Sequence, residues 1–88
     1  MLVREIDLMG TVGCHLCDEA EVVIREFNEL MLPHNFKLSY SQLDVSTSEK
    51  LVSAYGSRIP VIIDKTTRSE LNWPFDLNRL YEFLQACN

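Results

Sequence analysis

One passage near the start constrains this chain more than any other. An apolar stretch from Leu2 to Met9 breaks at Gly10-Thr11-Val12-Gly13, and apolar residues then return with a different period. In the first stretch Leu2, Ile6 and Leu8 fall on one side of an extended chain and Val3 and Met9 on the other. That is the pattern of a central strand buried partly on both faces. Beyond the break, Leu16, Ala20, Val23, Ile24, Phe27, Leu30 and Met31 form a helical stripe. Asp18 and Glu19 sit in the first turn, where the helix dipole favours negative charge; Glu21 and Arg25 form an i,i+4 pair, and Pro33 marks the end. A strand running straight into a helix needs partners for both, and 88 residues suffice for one core. A single domain over residues 1–88 is expected.

The remaining chain supplies those partners. Phe36, Leu38 and Tyr40 alternate with Lys37, Ser39 and Ser41 as a half-buried strand, with a phase shift at Leu43 and Val45 that predicts a bulge or a strand end. Ser46-Thr47-Ser48-Glu49 has the form of a capping box, with Ser46 at the N-cap, opening a short helix that stops at Gly56. Val61-Ile62-Ile63, a turn over Asp64 to Arg68, and a run from Ser69 to Trp73 predict an antiparallel hairpin. Asp76 caps a last helix whose Leu77, Leu80, Tyr81 and Leu84 share one face. The order is βαβαββα, an α/β fold. Its first crossover makes a parallel pair, its hairpin adds antiparallel strands, and its helices cover both faces of one mixed sheet.

Charge and composition exclude several functions. The net charge is −5, and no Lys/Arg cluster offsets it, so a nucleic-acid backbone is repelled. Apolar runs such as Val22-Val23-Ile24 are far shorter than the roughly 18–20 residues of a membrane span. Acidic residues interrupt the start where a signal peptide would be apolar, giving the expectation of a cytoplasmic protein, with monomer as the default state. Three cysteines fit a reducing compartment with one reactive pair better than a stapled scaffold, where even counts are usual.

That pair is Cys14-His15-Leu16-Cys17, at the strand-to-helix turn where an open sheet presents its ligand-facing crevice. A thiol attacks disulfides as thiolate, and the N–H groups and dipole at a helix N-terminus favour that anion. Cys14, at the N-cap or first turn, is the expected nucleophile, and Cys17, one turn on and more buried, the resolving thiol. Two other readings compete. Structural zinc would take two thiolates plus donors from His15, His34, Asp18 or Cys87, but no second C-x-x-C or H-x-x-H pair exists. Alternatively, the two cysteines fill core space. His15 is expected to be an exposed modulator, His34 an ordinary loop residue and Cys87 an incidental terminal thiol. Pro60 starts a strand, and a cis Ile59-Pro60 bond opposite the dithiol is expected to leave the preceding backbone open to a substrate chain.

Gly13-Cys14-His15-Leu16-Cys17-Asp18, Tyr55-Gly56-Ser57-Arg58-Ile59-Pro60-Val61 and the element order together resemble the small bacterial glutaredoxin-like proteins of the thioredoxin superfamily. The resemblance spans nearly the whole chain. It implies a thioredoxin-like four-stranded mixed sheet flanked by three helices, with nucleophilic Cys14, resolving Cys17 and cis Pro60 beside them. It also implies substrate contacts from Gly13, His15, Arg58, Ile59 and Pro60. The expected activity is thiol–disulfide oxidoreduction on a disulfide-containing protein or a glutathione mixed disulfide. No metal or resident cofactor is expected, and glutathione is a candidate reductant. Two departures stand out: Cys-His-Leu-Cys replaces Cys-Pro-Tyr-Cys, and Asn72-Trp73-Pro74-Phe75-Asp76 replaces the Gly-Gly loop that grips glutathione. The alternative function is a non-catalytic binding module docking a protein through Arg58 to Pro60 and Trp73, which otherwise caps the core.

Overall fold

The structure is a computed structural model describing residues 1–87. Its first strand, β1 (Leu2–Gly10), lies inside a four-stranded sheet ordered β2-β1-β3-β4. It pairs in parallel with β2 (Phe36–Asp44) and antiparallel with β3 (Val61–Asp64), which pairs antiparallel with β4 (Glu70–Asn72). The long crossover between β1 and β2 holds helix α1 (His15–Met31); α2 (Glu49–Tyr55) precedes the hairpin and α3 (Leu77–Ala86) ends the chain. The predicted order and mixed sheet are thus both present.

Strand alternation divides the core. Ile6 and Leu8 of β1, Leu38 of β2, Ile62 of β3 and Leu71 of β4 meet Ala20, Ile24 and Phe27 of α1 and Leu80 and Leu84 of α3. The opposite face carries Met9, Val45, Val61 and Ile63, against which Leu51 and Tyr55 of α2 and Ile59 pack. All four residues of β3 are buried, which explains its unbroken apolar run. Leu16, Leu30 and Tyr81, read from periodicity as core positions, are 44%, 60% and 48% exposed. They lie at the margins of their stripes, where a period of 3.6 carries them off the buried face.

Several boundaries differ from expectation. The second helix begins at Glu49 with Ser48 as its N-cap, the Ser48 hydroxyl accepting from Leu51 N–H at 3.4 Å. Ser46 instead lies in a 3-10 turn, Val45–Thr47, capped by the Asp44 carboxylate. The Asp44 carboxylate, two residues ahead of Ser46, captures the Ser46 N–H, and the helix starts two residues later than expected. The phase shift at Leu43 is a strand end, since the register runs unbroken to Gly10 opposite Asp44. Pro33 sits within a further 3-10 turn, Leu32–His34, that follows α1. The hairpin reaches slightly beyond β4, with Asp64 N–H donating to Ser69 O at 3.0 Å and Trp73 N–H to Pro60 O at 3.2 Å. Among the described residues no helix is long and apolar enough to cross a membrane.

Candidate redox-active site

The loop after β1 makes one tight turn before α1 begins. Gly13 takes φ +80°, a left-handed conformation that glycine adopts without steric cost, and Cys14 N–H donates to Thr11 O at 3.3 Å. Cys14 then caps α1. Its Sγ accepts the Cys17 N–H at 3.1 Å, and its carbonyl accepts the Asp18 N–H. The sulfur therefore occupies the position of an N-cap oxygen at the tip of a 17-residue helix, where unpaired N–H groups and the dipole stabilise negative charge. Cys14 and Cys17 are joined as a disulfide with Cα atoms 5.2 Å apart. Cys17, expected to lie deeper, is half-buried, as is Cys14.

Sequence reasoning missed Gly10. A Cβ built there would stand 2.8 Å from Cys17 Sγ, so the bare backbone at the end of β1 is what admits the Cys17 sulfur. The available signal was a glycine closing a strand directly before the motif. Gly10→Ala is expected to favour the reduced form, in which a freed Cys17 side chain can swing away while the disulfide cannot. Against a glutathione buffer, the Cys14/Cys17 potential should become less negative by on the order of 30 mV, equivalent to about 1.4 kcal/mol. An unchanged potential would show that the sulfur tolerates the methyl group.

Other predicted residues converge unevenly. Val61, the first residue of β3, pairs with Met9, so Pro60 leads into β3 at the end of the sheet where Gly10 lies. The Ile59-Pro60 bond is cis as expected; Trp73-Pro74 is cis as well, which was not foreseen. Ile59 packs on the α2-side cluster. Arg58 is held in place: its guanidinium donates to Glu70 at 3.1 Å, Asn72 at 2.8 Å and Ala54 O, and lies 5.1 Å from the Tyr55 ring centre. Trp73 packs on the main core, edge to face with Phe75 at 5.0 Å. The His15 side chain is 88% exposed, with Nε2 3.9 Å from a Glu19 oxygen.

On the β2 side Cys17 forms part of a cavity of about 360 Å³, with Gly10, Thr11, Asp18, Leu43 and Asp44 among its walls. The Asp44 carboxylate accepts from the Ser46 hydroxyl at 2.7 Å, the Ser46 N–H at 2.9 Å and the Thr11 hydroxyl at 3.0 Å. These donors, the Ser46 hydroxyl foremost, hold its pKa below the ordinary carboxylate value. Asp44 is thus a fixed anion at neutral pH.

Among the described residues no third donor joins Cys14 and Cys17 as the zinc reading requires. His15 and His34 bracket α1, whose 17 residues span about 25 Å. Among the described residues no three His, Cys, Asp or Glu side chains are grouped to hold a metal ion. Cys87, expected to be an incidental terminal thiol, is buried at 6% exposure, and its carbonyl accepts from Arg4 at 2.6 Å. That contact fixes it near the start of β1, at the opposite end of the strand from Gly10.

The X-ray structure of target protein XcR50 from X. campestris has a similar fold, with a TM-score of 0.77 and 32% sequence identity; the match covers 92% of this chain and 96% of that one. No curated protein matches the chain. A family model, the glutaredoxin-like domain (DUF836), matches residues 5–85, taking in the cap, the Cys14–Cys17 pair, Pro60 and β3, α1, α2 and all but the last residue of α3. The chain belongs to this glutaredoxin-like family, on a thioredoxin-like fold.

Proposed function

We propose that the protein is a thiol–disulfide oxidoreductase that reduces protein disulfides or glutathione mixed disulfides through Cys14 and Cys17. The observation that carries this reading is the Cys14 sulfur at the α1 N-terminus, accepting a backbone N–H and within bonding reach of Cys17. In the reduced protein the Cys14 thiolate attacks one sulfur of a substrate disulfide. A Cys14–substrate bond forms, the substrate S–S bond breaks, and the displaced thiolate takes up a proton. Cys17, deprotonated to solvent, then attacks Cys14 Sγ, forming the internal disulfide and releasing the second substrate thiol. Two electrons pass from the protein dithiol to the substrate, and an external thiol, glutathione or the dithiol of a reductase, restores the dithiol. His15 and Gly13 border the attacking sulfur, and the Ile59-Pro60 segment borders the Gly10 end of the sheet, so these are the proposed substrate contacts.

Equilibration with glutathione redox buffers tests the reading. A reversible two-electron couple confined to Cys14 and Cys17 is expected, within the roughly −270 to −120 mV spanned by thioredoxin-fold dithiols. Absence of such a couple overturns it.

A further inference from the structure

The surface around the disulfide combines exposed apolar side chains with fixed negative charge. Val12, two residues before Cys14, is 90% exposed; Leu16, between the two cysteines, is 44% exposed; and Leu43, on the cavity wall, is 41% exposed. Exposed apolar groups around a reactive centre are characteristic of a surface that another polypeptide covers. The adjoining cavity carries Asp18 and the anchored Asp44, with no Lys or Arg among its lining residues. Arg58, the cation on the Pro60 side, is engaged by Glu70 and Asn72.

Building on the redox reading, we propose that the partner is a polypeptide disulfide whose reactive cysteine is neighboured by a basic residue and an apolar residue. The apolar residue rests on the exposed side chains of Val12 and Leu16, and the basic side chain reaches toward Asp18 and Asp44, which line the same cavity as Val12. Charge complementarity selects this occupant. An anionic disulfide approaches against Asp18, Asp44 and a chain of net charge −5, whereas a cationic one is attracted. Glutathione disulfide has four carboxylates and two ammonium groups, so it belongs to the disfavoured class. The chemistry is the exchange already written: one substrate S–S bond is cleaved, two substrate thiols are released, and the Cys14–Cys17 bond forms.

Single-turnover oxidation of the pre-reduced protein tests this without an external reductant. The probes are the symmetrical disulfides of the blocked tripeptides leucyl-cysteinyl-lysine and leucyl-cysteinyl-glutamate, with neutral hydroxyethyl disulfide as reference. Each rate is divided by that of dithiothreitol with the same probe, which removes intrinsic differences in sulfur reactivity. At low ionic strength the lysine probe is expected to oxidise the protein about tenfold faster than the glutamate probe. At 1 M salt the preference should shrink to about twofold or less. The Asp18→Asn/Asp44→Asn double variant should lose most of the preference, while Glu29→Gln, which removes a charge near the other end of α1, should keep it. Equal normalised rates, a preference for glutamate, or a lysine preference that survives the double variant would each overturn the proposal. Reaction with hydroxyethyl disulfide but with neither peptide overturns the docking surface and leaves the redox reading standing. No reaction with any probe removes both.

Discussion

Cys17→Ser protein, reduced and then mixed with hydroxyethyl disulfide, is expected to accumulate a stable one-to-one mixed disulfide on residue 14. Under the same conditions Cys14→Ser should form adduct no faster than a cysteine in an unstructured peptide. The asymmetry follows from the cap. Cys14 Sγ receives the Cys17 N–H at 3.1 Å and sits at the positive end of α1, so its anion is favoured before any substrate arrives. Cys17 lies one turn inside the helix, its sulfur set against the bare backbone of Gly10. Once Cys14 carries a substrate, only Cys17 is placed to release it, so a serine there leaves the adduct without an exit. Mass spectrometry of acid-quenched samples distinguishes the two variants. Multiple-turnover reduction should fall to the uncatalysed background for Cys14→Ser. Adducts forming equally on either single cysteine would mean that the N-cap position confers no nucleophilic advantage.

The N-cap position of Cys14 was legible in the sequence because it depends on local geometry. A strand-period run, a glycine-bounded break and a helix-period run place a C-x-x-C at a helix N-terminus whatever the rest of the chain does. The sheet order was similarly constrained, by the long crossover between the first two strands and the short turn at Asp64. What escaped was set by non-local contacts. Gly10 reads as a loop residue until the fold brings the Cys17 sulfur against it. Asp44 reads as the end of a strand until Thr11, 33 residues away, donates to it across the mouth of the cavity. Ser46 loses its expected cap role to Ser48 because the Asp44 carboxylate takes the Ser46 N–H first. Cys87 looked free because terminal residues usually are, and the Arg4 guanidinium that anchors its carbonyl lies 83 positions earlier.

Arg4 also takes part in the one buried charge pairing of the described core, and Asp64→Ala is expected to produce the largest loss of stability of any substitution considered. The Asp64 side chain is fully buried at the end of β3; it accepts from Arg4 Nε at 2.9 Å and from the Thr67 N–H and hydroxyl at 2.8 and 2.9 Å. The sheet makes this possible because Ile6 pairs with Asp64, and Arg4, two residues earlier on the same face, reaches across to it. Replacing Asp64 breaks its ion pair with Arg4 and takes the acceptor away from the Thr67 N–H and hydroxyl, at a cost of about 3 kcal/mol. For a domain of this size that lowers Tm by about 12 to 24 °C. Asp64→Asn, which keeps the shape and a Thr67 acceptor but not the charge, should cost about half as much. The pH dependence separates charge from shape. The Arg4 hydrogen bond, foremost, and the Thr67 donors outweigh desolvation and hold the Asp64 pKa at about 2. A depressed carboxylate pKa contributes stability that is complete above the unfolded value near 4 and is lost as pH falls toward 2, here about 2 kcal/mol. Urea unfolding of wild type and Asp64→Asn should therefore diverge most above pH 4 and converge toward pH 2, whereas a purely steric role would give a gap independent of pH. Because this pair lies at the far end of β1 from Gly10, the Cys14/Cys17 potential of a folded Asp64→Asn protein should match wild type. A potential that moved with Asp64 would mean that the two ends of the sheet are coupled, which packing of this kind gives no reason to expect.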